Sequence, residues 1–201
     1  MRLPKVGYVV PETLEEASGF LREHAGQAMV VAGGTDVLVQ LRRQAWRRER
    51  TAPRWLVDIS RVPGLSGVWT SAGTITIGAL TVHEEVARNP VVRKGARLLS
   101  EACASVGSPQ IRARGTLGGN IMNASPAADT IPALVALSAR VRLADVGSTR
   151  DIFITDLFDG PYRNRALPGE VLTDVYFDAL PPRSGCAFVK LGRREALAIA
   201  R

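Results

Sequence analysis

The sequence predicts an α+β protein with two subdomains, a small one over residues 1–60 and a larger one over residues 61–180, followed by the start of a further region over 181–201. Three observations carry that prediction. Up to Ile59 the chain alternates short apolar β-type runs with helical runs, the order of a small α/β layer. Beyond Pro63-Gly64 come short β-branched stretches separated by tight turns, the pattern of a sheet built from hairpins. Between those stretches, residues 82–139 carry helical periodicity broken by one glycine-rich loop.

In order, residues 7–10 read as a strand, and Pro11-Glu12-Thr13 opens a helix to about His24 with Leu14, Ala17, Phe20 and Leu21 on one face. Residues 28–32 form a buried-type strand ending at Gly33-Gly34, where Thr35 or Asp36 can cap a helix over 37–44. A strand follows at 56–59 and a break at 62–65. Strands 67–70 and 74–77 join through Ser71-Ala72-Gly73, and helices are expected at 82–88 and 91–106. After the glycine-rich loop comes a helix over 131–139. Residues 140–144 and 150–154 form a hairpin around Asp145-Val146-Gly147-Ser148, and strands at 171–177 and 186–191 follow. The apolar tail 196–200 reads as an element with nothing to close it, so the C-terminal region is expected to be cut short.

Composition narrows the function. The net charge is +7 and the pI about 10.2, with three lysines among 26 basic residues. The densest basic cluster is Arg42, Arg43, Arg47, Arg48 and Arg50. It suits a solvated helix end, nucleic-acid contact, or docking to an acidic partner. Aromatic residues are only 5%, too few for base-stacking platforms, so no nucleic-acid partner is expected. No apolar run is long enough for a membrane span, and the start lacks the apolar core of a secretion signal, so a cytoplasmic location is expected. Cys103 and Cys186 stand apart, with no C-x-x-C and no metal-ligand spacing, so the chain is expected to carry no metal and no iron–sulfur cluster of its own. His24 and His83 read as surface or packing residues, and no acid–base or nucleophile set is evident.

Two glycine-rich motifs point to a ligand. The turn Val30-Val31-Ala32-Gly33-Gly34-Thr35-Asp36-Val37 sets glycines between a strand and a helix N-terminus, a place that favours an anion. It is neither G-x-G-x-x-G nor a P-loop, which disfavours a nicotinamide-type site and a nucleoside triphosphatase. The run Gly115-Thr116-Leu117-Gly118-Gly119-Asn120 allows close backbone approach beside short polar side chains. Two such cradles in one chain suggest a diphosphate held between them, hence a dinucleotide cofactor.

The motifs in this order resemble a known family, the FAD-binding medium subunit of the molybdenum hydroxylases, the group of aerobic carbon monoxide dehydrogenase and xanthine dehydrogenase. The resemblance rests on Ala32-Gly33-Gly34-Thr35-Asp36, Ile77-Gly78-Ala79-Leu80-Thr81, Ile111-Arg112 with Gly115-Thr116-Leu117-Gly118-Gly119-Asn120, Ala124-Ser125-Pro126-Ala127-Ala128-Asp129, Pro168-Gly169-Glu170-Val171-Leu172, and Phe188-Val189-Lys190 with Arg193. It implies the two-subdomain FAD-binding fold of the vanillyl-alcohol oxidase (PCMH) type, with FAD between the subdomains. Residues 30–37 would wrap the diphosphate and Thr116, Leu117, Gly118, Gly119 and Asn120 would hold it from the other side. Gly78, Thr81, Val106, Asp129, Leu172 and Lys190 match further cofactor-binding positions. The chain departs from the family at Ala113, where Asn is usual, and at Ala198, where Asp is usual.

The family also implies partners: a large subunit with the molybdenum cofactor and a small subunit with [2Fe–2S] clusters, whose electrons this flavin passes to an external acceptor. Other readings are a stand-alone flavin oxidoreductase of the same fold and a non-catalytic assembly subunit.

Overall fold

The computed structural model describes residues 5–47, 53–191 and 199–200. The first layer contains β1 (Gly7–Val9), α1 (Leu14–Glu23), β2 (Ala28–Val31), α2 (Val37–Arg47) and β3 (Trp55–Asp58). The three strands form a parallel sheet in the order β1-β3-β2, with Ala28 opposite Trp55 and Val31 opposite Asp58. α1 starts where predicted because Thr13 accepts the Glu16 N–H at 3.1 Å while the Glu16 carboxylate reaches back to the Glu12 N–H at 2.9 Å. β2 is an edge strand, so part of its backbone faces away from the sheet.

The second layer is a five-stranded antiparallel sheet of β4 (Val68–Ser71), β5 (Thr74–Gly78), β6 (Arg140–Asp145), β7 (Ser148–Phe153) and β10 (Val171–Asp178), in the order β4-β5-β10-β6-β7. Helices α3 (His83–Arg88), α4 (Pro90–Gly95), α5 (Arg97–Ala104), α6 (Pro109–Arg112), α7 (Leu117–Asn123) and α8 (Thr130–Ala136) lie between β5 and β6. Between β7 and β10 run α9 (Ile154–Leu157), β8 (Phe158–Gly160) and β9 (Arg163–Asn164), and the described part of the chain ends with β11 (Lys190–Leu191) paired to β12 (Ile199–Ala200).

Alternation along the strands sends Ile75, Ile77, Val141, Leu143, Val175 and Phe177 to one face. They make one buried cluster with Val92, Leu99, Leu117, Ile121 and Leu134 from the helices. A smaller cluster of Ala17, Leu21, Val57, Ile59, Val62, Leu65 and Val171 joins the first sheet to the second.

Several predicted elements come out differently. The predicted helix over 91–106 is two helices, broken at Ala96, whose backbone leaves the helical region at φ −154°, ψ 55°. Gly95 just before the break lies so close to the sheet that a Cβ there would stand 2.7 Å from the Ile75 Cδ1. The glycine-rich loop is in large part a helix, α7, capped by Thr116. The β6–β7 hairpin turns on Val146-Gly147 alone, with Gly147 at φ +75°, so Asp145 and Ser148 pair directly. The predicted strand at 186–191 contracts to β11, and the helix over 131–139 ends at Ala136, before Ser138 at φ +50°. The basic cluster beyond Arg42, Arg193 and the departure at Ala198 lie outside the residues whose side chains are described.

Candidate functional site

The two glycine motifs, eighty residues apart in sequence, meet face to face. Gly33 sits directly on the backbone of the second motif, where a Cβ would fall 2.0 Å from the Arg114 carbonyl oxygen and 3.0 Å from the Gly115 Cα. Across the same seam, a Cβ on Gly115 would lie 3.5 Å from the Thr35 Oγ1, and one on Gly119 would lie 3.9 Å from the Ala32 Cβ. One side-chain bond spans it too, from the Gln40 amide of α2 to the Asn123 Oδ1 of α7 at 2.7 Å. Two lips result. One is the end of β2 with Val30, Val31, Ala32, Gly33, Gly34, Thr35, Asp36 and Val37; the other is Thr116 with the start of α7.

The lips offer different chemistry. Among the described residues, the N–H groups of Gly33, Gly34, Thr35 and Asp36 have no acceptor. Gly34 takes φ +74°, which turns the chain from β2 toward α2. That lip is an open row of donors at a helix start. The second lip is not. The Leu117 N–H is bonded to the Thr81 carbonyl and the Gly118 N–H to the Ala79 carbonyl, each at 2.9 Å, and the Gly119 N–H to the Thr116 Oγ1 at 3.1 Å. The expectation of a second N–H cradle therefore becomes one of polar side chains. Asn120 accepts from the Thr130 hydroxyl through Oδ1 at 2.6 Å, which leaves its amide nitrogen without a partner among the described residues.

Gly118 of the second motif and Gly78 of the 77–81 run serve packing. A Cβ on Gly118 would stand 2.6 Å from the Ala79 Cβ, and one on Gly78 would stand 2.5 Å from the Leu65 carbonyl oxygen. Gly78 and Gly118 thus let three backbone segments stack behind the site. Thr81 is a brace in that stack: its hydroxyl accepts the Gly67 N–H at 2.9 Å and donates to the Gly67 carbonyl at 3.1 Å. Leu117 and Leu172 lie in the core, and the Val106 carbonyl accepts from the Arg112 guanidinium at 3.2 Å.

Asp129 and Lys190 do come together. The Lys190 ammonium donates to the Asp129 Oδ2 at 2.7 Å and to the Ser105 carbonyl at 3.1 Å. The other carboxylate oxygen, Oδ1, is buried and has no partner among the described residues. Burial pushes the Asp129 carboxyl up and the lysine opposes it. An acceptor held buried and unpaired is ready for a hydroxyl donor, which is what a ribose or ribityl chain supplies. The open N–H row for an anion and the orphaned carboxylate oxygen for a hydroxyl both fit a flavin dinucleotide.

Three residues near the site were not marked by sequence reasoning. Arg114 gives the carbonyl on which Gly33 rests. Gln40 ties α2 to α7. His83 is 2% exposed, donates its backbone N–H to the Gly115 carbonyl at 3.0 Å, and leaves Nδ1 without a partner among the described residues. Burial, with the Arg112 charge nearby, lowers its pKa to about 4. Nothing in the local sequence separates it from a surface histidine. Among the described residues there is no cluster of metal-ligating side chains and no helix long and apolar enough to cross a membrane.

Comparison with known proteins points to the same cofactor. Residues 4–179 match a family described as the FAD binding domain in molybdopterin dehydrogenase. The chain is 36% identical over 197 residues to the nicotinate dehydrogenase FAD-subunit of Eubacterium barkeri, covering 96% of this chain and 65% of that protein. It is 30% identical to the carbon monoxide dehydrogenase medium chain of Hydrogenophaga pseudoflava, covering 95% of this chain and 65% of that one. Carbon monoxide dehydrogenase from Hydrogenophaga pseudoflava, in a form that lacks the Mo-pyranopterin moiety of its cofactor, superposes with a TM-score of 0.91 at 30% identity, over 100% of this chain and 68% of the other. Quinoline 2-oxidoreductase from Pseudomonas putida 86 gives 0.87 at 29% identity, over 98% of this chain and 66% of the other. The chain thus spans about 65% of the length of these curated relatives.

Proposed function

This chain belongs to the family of FAD-binding domains of molybdopterin dehydrogenases, and from that premise we propose that it is the flavin-carrying part of a molybdenum hydroxylase, passing electrons from iron–sulfur clusters on a partner to an external acceptor. The observation that carries the reading is the seam: two backbone lips meeting at Gly33 and Arg114–Gly115, with a row of unpaired N–H donors on one side. Bound FAD supplies the redox chemistry, accepting electrons and handing them on.

The chain's own residues bind and orient it. The N–H groups of Gly33, Gly34, Thr35 and Asp36 hold the diphosphate, with the Val37 end of β2–α2 shaping that lip. Thr116 and Asn120 face it from α7, while Gly118, Gly78 and Thr81 hold α7 in place. The Asp129 Oδ1 would accept a hydrogen bond from a hydroxyl of the sugar or ribityl chain, while the Lys190 ammonium, bonded to Oδ2, favours the charged carboxylate. Leu172 and Val106 support the wall behind it.

The partners follow from the same reading. Relatives are named as FAD subunits and medium chains of dehydrogenases, and this chain shows no candidate metal cluster among its described residues. A large molybdenum-cofactor subunit and a small [2Fe–2S] subunit would supply substrate oxidation and electron delivery. The test is affinity capture from the native host followed by metal analysis and flavin reduction. Substrate-dependent bleaching of the flavin in a complex holding molybdenum and iron supports the proposal. Full dehydrogenase activity from the chain alone, free of both metals, would refute it.

A further inference from the structure

The two sheets touch at a second place, outside the seam. α1 carries Ser18 and Arg22 one helical turn apart on one face. Both side chains reach Asp145, at the turn of the β6–β7 hairpin: Ser18 donates to Oδ1 and Arg22 to Oδ2. The Val146 N–H donates to the Ser18 Oγ at 3.0 Å and to the Asp145 Oδ1 at 2.7 Å. Beside them, Ala17 and Leu21 of α1 pack with Val171 of β10. The segment before β10 closes over the carboxylate: Gly169 takes φ +92°, and a Cβ there would lie 2.9 Å from the Asp145 Oδ1 and 3.3 Å from the Arg22 Cβ. The neighbouring Glu170 is held off by its own pair with Arg150, at 2.5 and 2.8 Å.

These contacts involve none of the residues of the two lips. α1 leads directly into β2, whose far end is the N–H-bearing lip. The apolar cluster of Ala17, Leu21, Val57 and Val171 already holds the two sheets together but is non-directional; the polar attachment on α1 fixes how they sit against one another. We propose that Asp145, Ser18 and Arg22 form a clamp that sets the separation of the two lips, so that they are positioning residues for FAD although they do not touch it. The clamp rests on the flavin reading of the seam. It acts by pre-organisation: with the lips held in register, binding does not have to order them. Ser18 is fully buried and its ligand lies 127 residues away in sequence, so the contact is tertiary and not a local turn.

The test uses the 201-residue chain stripped of flavin and titrated with FAD. The Kd is read from quenching of flavin fluorescence, with melting of the flavin-free protein as a parallel measurement. Asp145→Ala and Arg22→Ala should each weaken FAD by about tenfold, and the double variant should be no worse than Asp145→Ala alone, because the two act through one contact. Arg22→Lys, which keeps the charge, should recover most of the affinity. The saturated flavin spectrum should match wild type in every variant. If Asp145→Ala does not fold, Ser18→Ala, which leaves the ion pair, must show a smaller loss in the same direction. Variants that melt earlier yet bind FAD as wild type does would overturn the clamp, as would additive losses in the double variant. A wild-type chain that takes up no FAD would overturn the flavin reading of the seam and the clamp with it, whereas wild-type uptake with unaffected variants rejects the clamp alone.

Discussion

Gly33→Ala is the sharpest probe of the seam. The added Cβ would stand 2.0 Å from the Arg114 carbonyl oxygen and 2.7 Å from its carbonyl carbon. Real Cβ atoms do not come nearer than 3.0 Å, so the lips must part by about 1 Å before the contact is even tight. Both sides are backbone, so no side chain can swing away. Overpacking of this kind costs about 1–3 kcal/mol. If that cost falls on the closed arrangement that binds the cofactor, FAD affinity drops by roughly 5- to 150-fold. The assay is fluorescence titration of flavin-free protein with FAD, beside thermal melting. Gly19→Ala is the control: Gly19 lies in α1 with nothing within 4 Å of its Cβ position. There the change should raise stability by about 1 kcal/mol and leave FAD binding alone. Wild-type affinity in Gly33→Ala would refute the claim that the lips meet at this point.

Gly119→Val should also weaken FAD, since its Cβ would lie 2.8 Å from the Thr116 Oγ1 that caps α7; loss of that cap costs about 1 kcal/mol, read as a lower melting temperature together with a higher Kd. Lys190→Met leaves the Asp129 carboxylate without its cation, so stability should fall by about 2 kcal/mol in denaturant titrations, and Asp129→Asn in the same background should recover part of it. FAD should bind well ahead of FMN in equilibrium titration, because FMN lacks the diphosphate we propose for the 33–36 donors; equal affinities would count against that lip. For His83, the folded-state pKa of about 4 lies below the ordinary 6.5, so protonation favours the unfolded chain. Its contribution is full above pH 6.5 and is lost as the pH falls toward 4. The unfolding free energy from urea titrations should therefore drop by about 1–2 kcal/mol between pH 7 and 5, and His83→Gln should flatten that slope.

Much of the fold was legible because local signals agreed with tertiary ones. Pro11-Glu12-Thr13 marks the start of α1, and the short β-type runs at 140–144 and 171–177 give the strands β6 and β10. The first glycine turn was legible for the same reason: a strand, two glycines and a helix start need no distant information. What was not legible depends on distant partners. Residues 91–106 carry continuous helical periodicity, yet the chain breaks at Ala96, beside the point where Gly95 comes up against Ile75. The Ser18–Asp145 contact joins residues that no pattern links. His83 looks like any histidine until Gly115 and Arg112 are brought beside it by folding.

The second glycine motif shows why such runs are hard to interpret from sequence. Glycine is about 1 kcal/mol worse than alanine inside a helix, so Gly118-Gly119 argues for a loop on propensity alone. The chain nevertheless winds into α7, because Gly118 lets the helix settle against Ala79 at a distance no side chain would permit, and because the Leu117 and Gly118 N–H groups find carbonyls on the Ala79–Thr81 segment. The same absence of a Cβ that suggested an anion cradle is used here against protein backbone, while at Gly33 it lets one lip rest on the other. A glycine-rich run therefore signals a close approach without saying to what. Among the described residues the unpaired backbone donors sit on the shorter motif, and Gly118 of the longer one packs against the Ala79–Thr81 segment.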